Sequence, residues 1–325
     1  MSFPTLPVSL YTFTFKALQP IIDVNFSASL WHGQFGRSLR HIVHCVQPNS
    51  ECKNCLLLHH CDYSFLFNGT PPVNRKIMRK YENIPVPYAF CMPIAQSMQV
   101  QAGELFSIQM SLIGTSCHKL PAFIKSMENI GQCGLKKQRY RATLNSVSVQ
   151  YQQGQETLLY ANGLLLSLPK QQSPTIPPCP AFIRLQWCSP YRAKSVKGNE
   201  KINSIDIAKL MMSIIRRIFL LQNFYTENPL QTDFIVLKKL SSKLKTACLN
   251  SSLQAALSTR KSAKHGEWLP TSGVIGTLDF SLQGLDELWP YLFLGQFLNV
   301  GQNASMGFGR YKIMVLADKK VKTIV

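Results

Sequence analysis

Two kinds of hydrophobic spacing recur along the chain. In "SLYTFTFKAL", residues 9–18, apolar and polar positions alternate, which predicts a strand. From about Ser27 to Val46 apolar residues recur every three or four positions, which predicts a helix. On that helix Trp31, Phe35, Leu39, Ile42 and Val43 fall on a core arc with His32 at its edge. Arg37, Arg40, His41 and His44 share the opposite face.

The segment 105–147 has an alternating strand, a polar link with Gly114, an apolar-periodic helix, a basic loop containing glycine, and a second strand. The tail, 275–316, repeats that order with Gly284 in the link. Each copy also has a front half. In the second, "AFIRLQWCSPYRAK" reads as a strand ending at Pro190. The helix "NSIDIAKLMMSIIRRIFLLQNFY" follows, with Asn203 or Ser204 as N-cap and Asp206 in its first turn. Its Ile207, Leu210, Met211, Ile214 and Ile218 share one face, opposite Lys209 and Arg216. Strand, helix, strand, twice in each half, predicts an α+β protein of tandem ferredoxin-like (RRM-like) domains with a C-terminal glycine-rich loop. The expected boundaries are 1–150 for the first domain, with a cysteine-rich insertion at 45–61, then a proline-marked connecting segment at 151–179, and 180–325 for the second domain.

Charge changes the picture. Lys and Arg number 35 against 16 Asp and Glu, a formal net charge of +19, and both halves share the excess. That balance points to a polyanion touched by both domains. The start lacks a basic n-region, and the most apolar helix is broken by Lys209 and by Arg216 and Arg217, so neither an export signal nor a membrane partner is expected. Ten cysteines without such a signal point to a reducing cytoplasm.

Four of the ten, Cys45, Cys52, Cys55 and Cys61, are spaced C-x6-C-x2-C-x5-C. The C-x2-C pair is the close bite that tetrahedral zinc uses, so a structural zinc is one reading, with His59 or His60 as substitute ligands. Unligated reduced thiols, another metal or a disulfide are the others. His118 and His265, like His59 and His60, read as ordinary surface or capping histidines. Acidic residues are scattered singly, which argues against a two-metal nuclease. The tail loop "GQNASMGFGRYKI" fits neither phosphate-binding glycine motif and precedes a strand. By itself it reads as a turn or as a nucleic-acid contact.

Three segments together resemble a known family. They are "LWHGQFGRSLRHIVHC" with "CKNCLLLHHCDYSFLF", "FIRLQWCSPYRAK" with its helix, and the tail "LGQFLNVGQNASMGFGRYKI". The chain is similar in these to the CRISPR-associated endoribonucleases that process precursor CRISPR RNA, the sixth CRISPR-associated family of the RAMP superfamily. The resemblance implies metal-independent cleavage of repeat RNA, with a histidine on or near the first helix assisting attack of a ribose 2′-OH. Cleavage of that kind leaves a 5′-hydroxyl and a 2′,3′-cyclic phosphate, needs no cofactor, and makes CRISPR repeat RNA the partner. His32 leads the candidates, followed by His44 and His41; relatives commonly carry arginine where His32 stands. The resemblance makes Gly301, Gly307 and Gly309 places of close RNA approach. Arg37, Arg40, Lys136, Lys137, Arg139, Arg141, Arg310 and Lys312 become phosphate contacts. The rival it leaves is a non-catalytic RNA-binding subunit among other CRISPR effector subunits.

Overall fold

The computed structural model describes residues 4–25, 27–46, 51–92, 97–136, 138–151, 156–193, 205–227, 229, 231–256, 259–261, 268–270, 272–317 and 320–323. Lys137, His265 and the expected caps Asn203 and Ser204 lie outside them. The chain divides into two compact units, 6–174 with 220–229, and 1–5 with 175–219 and 230–325.

In the first unit, β1 (Val8–Ala17) is followed by β2 (Ile21–Asn25) and helix α1 (Ala28–Ile42). Then come β3 (Tyr88–Phe90), β4 (Ser97–Val100), β5 (Leu105–Ile113), helix α2 (Leu120–Cys133), β6 (Ala142–Gln150), β7 (Glu156–Ala161) and β8 (Leu164–Leu165). The main sheet runs β3-β5-β1-β6-β7-β8, and β2 pairs with β4 apart from it. The order β3-β5-β1-β6, antiparallel throughout, is that of a ferredoxin-like split βαβ unit. Residues 156–165 were expected in a connecting segment. They extend this sheet instead, because Glu156–Ala161 pairs with β6 and buries Leu159 and Tyr160.

Alternation along β1 puts Tyr11, Phe13, Phe15 and Ala17 into the core, and the helical period of α1 adds Trp31, Phe35 and Leu39. Phe35 stacks on Phe123 of α2 at 5.0 Å between ring centroids, and Phe15 meets Trp31 at 5.3 Å. Burying each such ring contributes roughly 1.5–3 kcal/mol. Ser27 caps α1 by accepting from the Leu30 amide at 3.2 Å. The helix stops at Ile42, earlier than its periodicity predicts, and His44 adopts a left-handed φ of 48°. His44 therefore leaves the helix face it was expected to share with His41.

The second unit repeats the plan: β9 (Phe182–Trp187), helix α3 (Ile207–Tyr225), helix α4 (Phe234–Thr246), β10 (Cys248–Ala256), a small β11 (Thr259–Lys261) and β12 (Trp268–Pro270) pair, β13 (Gly273–Ser281), helix α5 (Trp289–Gly295), β14 (Tyr311–Ala317) and β15 (Lys320–Thr323). Its sheet order is β10-β13-β9-β14-β15, again ferredoxin-like. Asp206 precedes α3 and caps it, its carboxylate accepting from the Lys209 amide at 3.1 Å. Leu210, Met211, Ile214 and Ile218 are buried as their period predicts. Helix α4 was not read from the sequence. It is N-capped by Asp233, which accepts from the amides of Ile235 and Val236 at 3.0 and 3.1 Å. Among the described residues, no helix is long and apolar enough to cross a membrane.

Two helical glycines separate crowding from openness. A Cβ on Gly131 of α2 would collide with the Ala142 carbonyl of β6, whereas one on Gly33 of α1 would meet nothing within 4 Å. Gly131→Ala is expected to destabilise the fold by about 2 kcal/mol through overpacking. Gly33→Ala is expected to stabilise it by about 0.5–1 kcal/mol through helix propensity. Denaturant unfolding followed by circular dichroism reads both, and opposite signs are the expected outcome.

Candidate nucleic-acid interface

On the helical side of the first unit a cavity of about 560 Å3 is lined by Gln34, Arg37, Ser38 and His41 of α1, by Asn129, Ile130, Gln132 and Cys133 of α2, and by Gly134, Lys136, Arg139 and Arg141 beyond it. Four cations and one histidine face one space, and none of the lining residues is a carboxylate. Such a lining attracts a phosphate backbone, and it offers no carboxylate to a divalent ion.

Three sets of contacts hold helix α2 in place beside α1. Between the helices the Ser38 hydroxyl donates to the Ser126 carbonyl at 2.8 Å and accepts from the Asn129 side chain at 2.9 Å. Toward the sheet, Gly131 lets α2 approach β6 closely. At the sheet edge the Tyr160 hydroxyl donates to Glu128, which also pairs with Lys125 at 2.9 Å. Burial, with the Glu128 bond added, pushes the Tyr160 phenol up to about 12, so it keeps the proton it donates at neutral pH.

The basic loop after α2 is built as a display. Gly134 ends the helix at φ +83°, and paired hydrogen bonds between Leu135 and Tyr140 close the loop at 2.9 and 3.1 Å. Leu135 is buried and anchors it. Lys136 and Arg139 both take left-handed backbone, φ 57° and 51°. For residues other than glycine this costs of order 1 kcal/mol each, a strain that collects at functional sites. Two of the four lining cations, Lys136 and Arg139, are thus carried on a loop tied at its base, and Arg139 and Arg141 are exposed.

The other residues singled out from sequence fall elsewhere. His32 is half-buried in an aromatic cluster, 4.8 Å from the Phe67 ring and about 6 Å from those of Tyr88 and Phe90. Gly36, one turn after His32, is covered by that same Phe67 ring. His32 and His44 do not line the basic cavity, and His41 does. Arg40 turns away from Arg37: its guanidinium lies 5.6 Å over the Tyr63 ring and donates to the Cys45 sulfur at 3.5 Å. One residue per helical turn separates these fates, and the wheel had grouped Arg37, Arg40, His41 and His44 together.

The glycine-rich loop of the second unit closes on its own protein. Gly301, Gly307 and Gly309 all have positive φ, 88°, 92° and 68°. A Cβ on Gly301 would strike the Arg192 carbonyl, and one on Gly309 the Val300 carbonyl. The amide of Gly307 donates to Ala304 at 3.1 Å and that of Gly309 to Pro190 at 2.9 Å. These amides, expected to meet phosphates, are used inside the fold. Ser189 completes the tie, donating to the Gly307 carbonyl at 2.6 Å and accepting from the Arg310 amide at 2.8 Å. At Gly301 and Gly309 the close approach is to backbone of the same unit. Arg310 stays half-buried, while Lys312 is exposed on β14.

Cys45, Cys52, Cys55 and Cys61 surround a second, small cavity of about 30 Å3. His59 and His60 are exposed and do not line it. Among the described residues, no three Cys, His, Asp or Glu side chains are already set as a metal-ligating group.

Ser38→Ala removes the hydroxyl that joins the two helices and leaves the Asn129 amide without that acceptor. Its expected cost is about 1–3 kcal/mol, read as a lowered urea midpoint at unchanged slope.

Residues 185–311 match the family model described as CRISPR-associated endoribonuclease Cas6, and residues 6–172 match that of the AF_1859 N-terminal domain. A comparison with curated protein sequences gives no significant match. Among solved structures, the chain is similar to Thermus thermophilus Cas6 (TTHB231) in its product complex, with a TM-score of 0.53 and 12% identity over 94% of this chain and 98% of that one. It is also similar to a chain of a partial Cas6-RT-Cas1–Cas2 complex, with a TM-score of 0.54 and 12% identity over 100% of this chain and 49% of that one. At such identity these likenesses speak for the fold, two ferredoxin-like units in tandem. The Cas6 endoribonuclease model thus covers much of the second unit, while the AF_1859 N-terminal model spans half of the chain, and the chain belongs with the proteins that carry that N-terminal domain.

Proposed function

We propose that this protein cleaves CRISPR repeat RNA at a phosphodiester seated in the basic cavity of the first unit, with His41 as the group that moves the proton. The observation that carries this reading is the convergence of His41 with Arg37, Lys136, Arg139 and Arg141 on a space lined by no carboxylate. Of His32, His41 and His44, only His41 stands where a bound phosphate would be.

Imidazole suits the task because its ordinary pKa lies near 6.5. His41 takes the proton of the ribose 2′-OH as that oxygen attacks the adjacent phosphorus. The bond from phosphorus to the 5′-oxygen breaks, and the departing oxygen takes a proton from the cationic lining or from water. The products are a 2′,3′-cyclic phosphate and a 5′-hydroxyl. Arg37 and Arg139 hold the phosphate oxygens and stabilise the charge that develops on them. A nucleophile already in the substrate gains from proximity and needs no metal-bound water. The released RNA can pass to further CRISPR subunits, with Lys312 and the second unit's other cations extending the contact to the rest of the repeat.

In single-turnover cleavage with excess EDTA, His41→Ala is expected to slow the reaction about 10²–10⁴-fold while affinity for repeat RNA changes little. His32→Ala is expected to cut at the wild-type rate if it folds. Arg139→Ala should weaken binding and reduce the log–log salt slope by about 0.7. An RNA with one deoxyribose 5′ of the cut should bind and stay intact. Undiminished cleavage by His41→Ala contradicts the assignment, and repeat RNA that is bound but never cut favours a non-catalytic subunit.

A further inference from the structure

The segment that follows α1 has no apolar core of its own. Leu56 and Leu57 are exposed, at 97% and 50%, and so are His59 and His60. Cys45, Cys52, Cys55 and Cys61, all half-buried, enclose the 30 Å3 cavity together with Val43, Glu51, Leu58, Tyr63 and Ser64. Short turns fix their backbones: the Cys55 amide donates to the Cys52 carbonyl at 3.0 Å, Leu58 to Cys55 at 3.1 Å, and Phe65 to Cys61 at 3.0 Å. A stretch this poor in buried hydrocarbon needs another source of stability, and in small units that source is commonly a disulfide or a metal.

We propose that this cavity binds one zinc ion through the four sulfurs, which close onto it as thiolates and release their protons. Its volume suits a single ion. C-x2-C across a tight turn supplies the adjacent pair that tetrahedral zinc prefers, with Cys45 and Cys61 supplying the other two ligands from either side. Arg40 provides the outer layer: it donates to the Cys45 sulfur and covers Tyr63, which itself lines the cavity. A guanidinium hydrogen-bonded to a ligating sulfur offsets part of the double negative charge of a four-thiolate zinc site. Because Arg40 belongs to α1, the ion would tie the insertion to the helix that carries Arg37 and His41. The zinc proposal stands independently of the cleavage reading.

The full chain, purified without chelator, is expected to carry about one equivalent of zinc by elemental mass spectrometry. Cys52→Ser with Cys55→Ser should lower that to background, and Cys248→Ser in the second unit should leave it unchanged. Cobalt added to the chelated wild-type chain should produce thiolate-to-metal charge-transfer and tetrahedral d–d bands that zinc abolishes, and this decides the matter if the double variant does not fold. Background zinc in folded wild-type chain, with no cobalt bands, overturns the proposal. Thiol titration of the unfolded chain then separates the causes: all ten thiols mean unligated cysteines, and fewer than ten without metal mean disulfides.

Discussion

The first unit depends on how closely helices α1 and α2 meet. At their contact a serine replaces a bulky side chain: Ser38, almost wholly buried, bonds to the Ser126 carbonyl and receives the Asn129 amide. A larger residue there would push the helices apart, and an apolar one of similar size would leave Asn129 seeking a partner. The same contact decides where Arg37 and His41, one residue before Ser38 and three after it, come out relative to the loop that follows α2. The geometry of the basic cavity is therefore a consequence of helix packing, since neither helix carries the whole cationic set.

The two units share one topology and use corresponding loops in opposite ways. After α2, glycine ends the helix and the loop is pinned at its base, leaving Lys136 and Arg139 strained and Arg139 open to solvent. After α5, three glycines with positive φ let the loop fold down onto Arg192, Val300 and Pro190, with Ser189 as the tie. One loop presents charge, and the other builds rigidity beneath its strand.

Much of the fold was legible in the sequence because its signals are periodic and local. The alternation in β1, the helical stripe of α1 and α3, and the order of elements repeated in the tail all follow from which faces must be buried. The split βαβ sheets came with them, and so did the cysteine spacing. Other features depend on contacts far apart in the chain. Residues 156–165 become strands only because β6 offers a free edge, and α4 lies in a stretch where capping by Asp233 was the clearest cue. The surroundings of the histidines depend on such contacts too. His32 was read at the edge of the core arc, and Phe67, more than thirty residues away, covers Gly36 and packs against the imidazole. His41 and His44 were read on one helix face, with His44 ranked first of the two, and the helix ends at Ile42, before His44. The left-handed residues at Lys136 and Arg139 were a signal that sequence alone does not carry, since lysine and arginine do not advertise positive φ.

The most direct test of the account is a crystal structure of the protein bound to repeat RNA whose nucleotide 5′ of the cut is deoxyribose, so that the substrate is held uncut. The account predicts the scissile phosphate inside the basic cavity, hydrogen-bonded to Arg37 and Arg139, with the His41 imidazole within reach of the missing 2′-oxygen's position. A scissile phosphate beside His32, or against the glycine-rich loop of the second unit, would contradict it.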